Sequence, residues 1–260
     1  MEYGMIDKEF YVGRFLYLTG RLTELEDARF GGRGDTPAIS IYAENPKTGK
    51  KESRQRISEK HELWSYYYKI AEEREIINKK LDLLKAAWAE DYGGLLDRTA
   101  SGYKIIPNFD NPFDSSLWEA FRSNDCSTPN PYPVHYKDYI MRSQFEVDVA
   151  KVLDSLGVDY KYEVGMIVGG GKRLYPDMAV NFPEYNRCGF VEAMGGLDNM
   201  KYASHNTFKL RDYINAGLYP NRDIAIVSAD RGYFPSPALI KRSVGIMLSS
   251  IACQYVVKKS

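Results

Sequence analysis

Apolar and polar positions follow a regular order in the second half of the chain, after Tyr139. Ser143 is a favourable helix N-cap, because its side-chain oxygen can accept a hydrogen bond from a free backbone amide. Gly157 is a favourable helix end, because glycine adopts the left-handed backbone without a steric penalty. Between them, apolar residues recur every three or four positions, which predicts an amphipathic helix. This apolar face contains Phe145, Val149, Val152 and Leu156.

Strand patterns and a second helix follow. Short apolar runs bounded by glycine and polar residues indicate strands, and a periodic segment of about eighteen residues ended by glycine indicates a helix of about that length. The predicted order of helix, three strands, helix and strand is typical of an α/β unit with a mixed central sheet flanked by helices. The elements are a strand over 158–168, a turn at 169–171, strands over 173–182 and 189–194, a helix over 199–216 and a strand over 223–228.

The first half of the chain is less regular. Strand-like alternation over Phe10–Leu22 and Pro37–Tyr42 predicts an N-terminal β-hairpin, and Asn45-Pro46-Lys47-Thr48-Gly49 is a turn signal. A long helix is predicted over Ser58–Glu90, because apolar residues recur at helical spacing. These residues are Leu63, Tyr66, Tyr67, Ile70, Ile77, Leu81, Leu84 and Trp88.

Between the two halves, residues 91–139 are rich in Gly, Pro, Asn, Ser and Asp, with one short helical pattern over Ser115–Arg122. Such composition is typical of a connection between modules. We therefore predict three parts: an N-terminal hairpin and long-helix region, a connecting segment, and a core that ends in a helix over 243–257. Their bounds are 1–110, 111–141 and 142–260.

Composition restricts the class of protein. The chain has 260 residues with 35 basic and 35 acidic side chains, so bulk positive charge does not hold it to nucleic acid. Cys126, Cys188 and Cys253 lack paired spacing, which argues against a disulfide scaffold or a zinc site. The first residues do not follow the pattern of a secretion signal, and the apolar segment 243–257 is shorter than a membrane span. We expect a cytoplasmic protein without a membrane partner.

Three carboxylates occupy informative positions in the predicted core. Asp177 follows Pro176 in the second strand, Glu192 lies near the end of the third strand, and Glu146 borders the apolar face of the first helix. A carboxylate among apolar strand residues is unfavourable unless a partner compensates its charge. Two such groups on adjacent strands repel each other unless a cation lies between them. A hard divalent cation such as Mg²⁺ prefers oxygen ligands of this kind, which predicts a metal site for phosphoryl chemistry.

These positions resemble the signature of the PD-(D/E)XK nuclease superfamily. In that signature, a helix with a Glu precedes a strand with Pro-Asp and a strand with Glu-x-Lys. The resemblance extends to a subgroup met in bacteria and phages and covers the core from Arg142 to Asp230. It rests on Glu146, Pro176-Asp177 and Glu192, on the segments Arg142–Glu146 and Tyr160–Glu163, and on the spacing of Lys209, Tyr213 and Gly217.

The resemblance implies a restriction-endonuclease-like core and a nuclease that hydrolyses phosphodiester bonds, with DNA as the expected substrate. It implies Mg²⁺ or Mn²⁺ held by Asp177, Glu192 and the backbone carbonyl of Ala193, with Glu146 binding a second ion or its water. It also implies a possible homodimer. Two interpretations of Glu163 remain open: it forms a hydrogen bond within the site, or it is a surface residue of the strand.

One position departs from the signature, since Met194 stands where the signature has Lys. In some superfamily members this lysine is supplied by the neighbouring helix. On the predicted helix 199–216, we expect one face to pack and an adjacent polar stripe to contain Lys209, which is our candidate for the displaced lysine ahead of Lys201. The packing face is Ala203, Thr207, Leu210 and Ile214, and the polar stripe is Tyr202, Asn206, Lys209 and Tyr213. The alternative is that Met194 marks a catalytically inactive copy.

Three functions remain open from the sequence. The first is a metal-dependent endonuclease from a restriction, phage or mobile-element setting. The second is an inactive protein of the same fold that binds nucleic acid. The third is a protein-interaction module, such as an inhibitor of a host defence system, that uses the long helix over Ser58–Glu90 as its contact surface. A divalent metal between Asp177 and Glu192 favours the first function, a basic groove without metal the second, and an exposed apolar patch on the long helix the third.

Overall fold

A computed structural model describes residues 6–33, 36–106, 113–230 and 233–259. The N-terminal half contains α1 (Lys8–Glu24), β1 (Asp27–Arg33), β2 (Thr36–Glu44), β3 (Lys51–Ser58) and the long helix α2 (Trp64–Asp91). Short elements follow, namely α3 (Leu96–Ala100), β4 (Tyr103–Ile105), α4 (Ser115–Ala120), β5 (Val134–Tyr136) and β6 (Tyr139–Met141).

The C-terminal half contains α5 (Gln144–Ser155), β7 (Tyr160–Tyr162), β8 (Met166–Ile167), β9 (Arg173–Leu174), β10 (Met178–Phe182) and β11 (Arg187–Met194). It continues with α6 (Met200–Asn215), β12 (Ile224–Ser228), α7 (Pro237–Ala252) and β13 (Val256–Lys258). The mixed α/β class is confirmed. The central sheet has the strand order β12-β11-β10-β7, in which β11 and β12 are parallel and the other neighbours are antiparallel.

The predicted first core helix is present as α5. Ser143 is its N-cap, and the Ser143 hydroxyl accepts a hydrogen bond from the Glu146 amide at 3.2 Å. Gly157 has a positive φ of 64° directly after the helix, as a glycine stop requires. The first predicted strand is split into β7 and β8, because Glu163 adopts a positive φ of 50° that an extended strand does not contain.

Alternating residues of the central sheet face two different buried clusters. Val180 of β10 and Val191 of β11 pack in the cluster that includes α5 and α7. Ala179 and Phe190 pack in the opposite cluster, which includes Tyr213 of α6. Because side chains alternate along a strand, this register places Asp177 and Glu192 on the α6 side of the sheet.

The N-terminal prediction was wrong in one element. Phe10–Leu22 lies in helix α1, whereas its strand-like alternation had indicated a strand. Packing overrides that local preference, because α1 contacts α2, α3 and α7 and buries Phe10, Tyr11 and Leu18. The turn at 45–49 is confirmed, but it joins β2 to β3, and the predicted hairpin is a three-stranded sheet of β1, β2 and β3.

Helix α1 is joined to the central unit by a buried ion pair. The Arg14 guanidinium lies 3.1 Å from a carboxylate oxygen of Glu184, and both side chains are almost completely buried. Arg14 also donates to the carbonyl of Gly157 at 2.9 Å. Residues from both sides of the predicted boundary at 110, which itself lies outside the described residues, therefore belong to one buried cluster.

The other long elements differ from the predictions mainly at their ends. Helix α2 begins at Trp64, and four residues of its predicted apolar stripe are buried while Leu63 and Tyr66 are exposed. The C-terminal helix begins earlier than predicted, at Pro237, and the chain turns into strand β13 after it. Among the described helices, none combines the length and the apolarity that a membrane crossing needs. The buried α2 residues are Ile77, Leu81, Leu84 and Trp88.

Replacing Gly13 with alanine tests the close packing of α1. A Cβ atom at Gly13 would lie 1.9 Å from the Tyr185 hydroxyl oxygen and 2.8 Å from Val256 Cγ2. We expect Gly13→Ala to lower the free energy of unfolding by about 1–3 kcal/mol, because the tyrosine must be displaced. The measurement is urea denaturation followed by circular dichroism.

Gly20 provides the matched control on the same helix. No atom lies within 4 Å of a Cβ at this position, so Gly20→Ala should raise the free energy of unfolding by about 0.5–1 kcal/mol through helix propensity alone. Equal stability of the two variants would contradict the packing of α1 described above.

Candidate active site

Asp177 and Glu192 are neighbours at the end of the β10–β11 ladder. Met178 and Val191 form the end pair of the antiparallel ladder of β10 and β11, with Asp177 directly before Met178 and Glu192 directly after Val191. Asp177 therefore lies just before β10, whereas the sequence had predicted it inside a strand over 173–182, which is split into β9 and β10.

An oxygen of Asp177 accepts a hydrogen bond from the Ala193 amide at 2.7 Å. Glu192 is buried, with 3% of its surface exposed. The predicted pair of acids is therefore brought together.

Lys209 of α6 reaches this pair of acids. Its ammonium group donates a hydrogen bond to Glu192 Oε1 and lies 3.9 Å from Asp177 Oδ1. Lys201, the second candidate, is exposed in the first turn of the same helix. The structure thus places Lys209, and not Lys201, against the carboxylates.

The orientation of α6 differs from the prediction. Thr207 is exposed and Ile214 is 40% exposed, whereas Ala203 and Leu210 are half-buried, so the predicted packing face does not form the contact with the sheet as a whole. Instead, Tyr213 of the polar stripe is fully buried. We attribute this orientation to electrostatics, because a buried carboxylate such as Glu192 is unfavourable without a cation and a hydrogen-bond donor, and Lys209 and Tyr213 provide them.

Tyr213 is a second hydrogen-bond partner of Glu192. Its hydroxyl group donates a hydrogen bond of 2.6 Å to Glu192 Oε2, while Lys209 binds Oε1. Both oxygens of this carboxylate therefore have a partner from α6. Burial, and then the Glu192 charge, raise the pKa of Tyr213 well above its usual value, so the hydroxyl remains protonated and remains a donor.

Burial and the charges of neighbouring groups shift the pKa values of the residues at this site. Burial first, and then the charge of Asp177, raise the pKa of the Glu192 carboxyl group to about 8. Burial lowers the pKa of Lys209, but the charges of Asp177 and Glu192 outweigh that effect and the pKa lies above its usual value. Lys209 is therefore a cation at neutral pH, and by itself it does not compensate the acids completely.

Glu146 lies on the other side of Asp177. It is 7% exposed, and its Oε2 accepts hydrogen bonds from the Arg142 amide at 2.8 Å and from the Tyr162 hydroxyl at 2.7 Å. Burial first, and then the charge of Asp177, raise the pKa of Glu146. Asp177 thus interacts electrostatically with both glutamates, which places all three predicted acids in one electrostatic cluster.

Glu163 is a buried residue, so the surface interpretation was wrong. Its side chain forms an ion pair with the Arg142 guanidinium, and its amide donates to the Asp177 carbonyl at 2.7 Å. Arg142 also donates to the carbonyls of Thr128 and Pro129 in the connecting segment, at 2.8 and 3.0 Å. The ion pair therefore ties the connecting segment and α5 to the strand end that holds Asp177.

Met194 lies on the same side of β11 as Glu192 and is 6% exposed. A lysine there would begin in a largely buried position, two residues from the carboxylate that Lys209 now contacts. The thioether of Met194 instead contributes apolar packing at this place. Lys209 accordingly lies beside the acids and reaches them from helix α6, which covers this side of the sheet.

The carboxylate oxygens of the site are of the type that binds a divalent cation. Asp177, Glu192 and Glu146 offer hard carboxylate oxygens, and burial first, and then the Asp177 charge, disfavour the charged forms of both glutamates, which a bound cation would favour. Among the described residues, however, no group of three or more His, Cys, Asp or Glu side chains converges as a metal site would. The oxygens of Glu192 face Lys209 and Tyr213, so their rearrangement would have to accompany metal binding.

Comparisons with known proteins give no further assignment. No protein-family model, no curated protein and no solved structure matches this chain. The side chains of the site are consequently the basis for assigning a function.

Three residues of the site had no assigned role in the sequence interpretation. Tyr162 and Tyr213 each donate to one glutamate, and Arg142 orients both Glu146 and Glu163. The sequence did contain one tyrosine on a predicted strand and one on a predicted helix, each at a position from which it could reach a predicted buried acid. That signal is weak alone, since most buried tyrosines serve packing.

Replacing Tyr213 with phenylalanine tests its hydrogen bond to Glu192. We expect the pKa of Glu192 to rise above its present value of about 8, because the lost donor favours the charged carboxylate. The measurement is a titration of side-chain carboxyl resonances by nuclear magnetic resonance. Tyr219→Phe, at a tyrosine that is 46% exposed, is the matched control. An unchanged Glu192 pKa in Tyr213→Phe would contradict the described contact.

Proposed function

We propose that this chain is a metal-dependent nuclease of the PD-(D/E)XK type that hydrolyses phosphodiester bonds in nucleic acid, with DNA as the substrate. One observation carries the proposal: Asp177, which directly precedes β10, and Glu192 of the neighbouring strand β11 both lie beside the ammonium group of Lys209. The order α5-β7-β10-β11-α6-β12 around the mixed sheet supports it, since this is the order of a restriction-endonuclease-like core.

In this proposal, Asp177, Glu192 and the Ala193 carbonyl hold Mg²⁺ or Mn²⁺, and Glu146 binds a second ion or its water. The bound metal supplies a Lewis acid and a water molecule of lowered pKa. Lys209 stays protonated and stabilises the negative charge that develops on the phosphate. Tyr213 and Tyr162 hold Glu192 and Glu146 in place through their hydroxyl groups.

A second candidate function is an inactive protein of the same fold that binds nucleic acid or a protein. Two observations favour it. Both oxygens of Glu192 already accept hydrogen bonds, from Lys209 and from Tyr213. In the described residues, no set of three metal-binding side chains converges. Binding of DNA without metal dependence and without cleavage would support this function. A phage or mobile-element factor and a homodimer are compatible with either candidate.

Cleavage assays with matched variants test the proposed nuclease. We expect cleavage of plasmid, linear, single-stranded or branched DNA with Mg²⁺ or Mn²⁺, inhibition by EDTA, and its loss in Asp177→Ala. Lys209→Met should lower kcat by about 100-fold or more, since a cation aimed at developing charge contributes on that scale. Lys209→Arg should retain part of the activity, because the positive charge is kept. RNA is tested in parallel as a substrate.

Lys201→Met is the matched control, since Lys201 is exposed on the same helix and should leave kcat unchanged. Thermal unfolding of each variant shows whether a lost activity reflects a lost fold. Equal cleavage by wild type and Asp177→Ala would overturn the proposal. So would the absence of cleavage on every substrate with both metals, which would leave the inactive binding protein as the better account.

A further inference from the structure

The outer half of the β2–β3 hairpin extends past the buried cluster between its sheet and α2. Ile39 and Ile57 lie in that cluster with Ala71 of α2. Residues 44–56, by contrast, are all exposed apart from one half-buried asparagine. Because successive strand residues point to opposite faces, the exposure of residues 51–56 leaves both faces of β3 open there. Residues 44–56, which we term the basic ribbon, are therefore accessible from two faces.

The basic ribbon carries an excess of positive charge. It contains five basic and two acidic side chains, whereas the whole chain has as many acidic as basic residues. Lys47, Lys50 and Arg56 have no acidic partner within ion-pair distance among the described residues. Apart from Pro46, the ribbon has no apolar side chain. Such a surface is suited to a polyanion, because attraction to phosphates needs clustered cations. The basic residues are Lys47, Lys50, Lys51, Arg54 and Arg56, and the acidic residues are Glu44 and Glu52.

The sheet face that points away from α2 continues this charge across the three strands. Arg29 of β1 pairs with Ser40 of β2, which pairs with Arg56 of β3. In the next row, Ile39 and Ile57 pack in the cluster with α2. Since side chains alternate along each strand, the row with the two arginines lies on the opposite, open face of the sheet. The two guanidinium groups thus flank the small Ser40 side chain on that face.

The carboxylate of Asp27 does not cancel the charge of the open face. It lies 2.8 Å from Arg29 Nε, 2.7 Å from Lys51 Nζ and 3.2 Å from the Arg74 guanidinium. The Asp27 side chain is 10% exposed, whereas the side chains of Arg29 and Lys51 are 54% and 60% exposed. One carboxylate shared by three cations leaves positive charge in excess, and the part that faces solvent is cationic.

Protection of the sheet edge does not account for the whole pattern. Charged side chains on an edge strand such as β3 hinder its pairing with another chain. Lys47 and Lys50, however, lie in the connection between β2 and β3, where no strand edge needs protection. The positive charge of the ribbon therefore extends beyond the edge and calls for a different explanation.

We propose that the basic ribbon, together with Arg29, binds the phosphate backbone of duplex DNA. The major groove admits a two-stranded β-ribbon, and exposed cations on its two faces then lie towards the phosphates that border the groove. Among the described residues of the open face, the one aromatic ring is that of Tyr42, and the Arg29 guanidinium covers it at 4.7 Å from the ring centroid. An unpaired base therefore finds no free ring to stack on. The contact needs no metal, and the choice of DNA as the polyanion rests on the proposed function.

Salt-dependent binding tests the ribbon in the absence of cleavage. The full chain in EDTA is titrated against a fluorescein-labelled duplex by fluorescence anisotropy at several salt concentrations. The triple variant Lys47→Gln, Lys50→Gln and Arg56→Gln should bind the duplex more weakly. Its slope of log K against log salt should be smaller by about 2–3, since each lost phosphate contact removes about 0.9. The conservative variant Lys47→Arg, Lys50→Arg and Arg56→Lys should retain the wild-type slope, because the charges are kept.

The matched control removes the same number of charges at three exposed lysines outside the ribbon, with Lys79→Gln, Lys85→Gln and Lys104→Gln. It should leave the slope unchanged. An equal decrease of slope in the two glutamine variants would overturn the ribbon, because bulk charge would then explain the binding. Tighter binding of the matching single strand than of the duplex would overturn the duplex as the partner. Ribbon-dependent binding to phosphatidylserine vesicles, with no binding to DNA, would do the same.

The ribbon and the nuclease can fail separately. Metal-dependent cleavage of DNA, with duplex binding that is unchanged in the ribbon variant, would overturn the ribbon and leave the proposed function standing. Ribbon-dependent binding of the duplex, with no cleavage of any substrate, would support the ribbon and overturn the proposed nuclease.

Discussion

The burial of the Glu192 carboxylate against Asp177 is the constraint on which the candidate site depends. The two acids are neighbours at the end of the β10–β11 ladder, and burial together with the Asp177 charge raises the pKa of Glu192 to about 8. A fold keeps such a pair only when other groups compensate it. Lys209 and Tyr213 supply a cation and a donor from α6, so the orientation of that helix is set by the polar site.

The rest of the molecule holds the strands and helices that carry these groups. The central sheet is packed on one side by α5 and α7, together with α1, and on the other side by α6. The buried pair of Arg14 and Glu184 fixes α1 at the far end of β10, and the pair of Arg142 and Glu163 fixes the connecting segment near Asp177. Buried ion pairs of this kind add little net stability, but they are strongly destabilising when one partner is removed. They therefore contribute mainly to a defined geometry.

Much of the core could be predicted from the sequence because its signals are local. The cap at Ser143, the glycine stop at Gly157 and short apolar runs identify the helix and strands, and their register brings Asp177 beside Glu192. Helix α1 was not recognised, because its apolar and polar residues alternate locally as in a strand, and packing against other helices makes the segment helical.

The rotation of α6 could not be predicted for a similar reason. Ile214 and Thr207 had been assigned to the packing face from helical periodicity, whereas a charge interaction with the sheet turns Lys209 and Tyr213 inward. Lys209 itself could be proposed from the polar stripe, because a cation was needed where Met194 replaces the lysine of the signature. The partners of the glutamates, Tyr162 and Tyr213, are tertiary contacts that no short pattern encodes.

The proposed nuclease requires that these acids bind a divalent metal. Isothermal titration of the protein with Mn²⁺ measures this binding, with the same titration of Asp177→Asn alongside. We expect binding by the wild-type protein that strengthens as pH rises towards about 8, because metal and proton compete for Glu192, and loss of that binding in the variant. Absence of Mn²⁺ binding, or equal binding by both proteins, would show that these acids are not a metal centre.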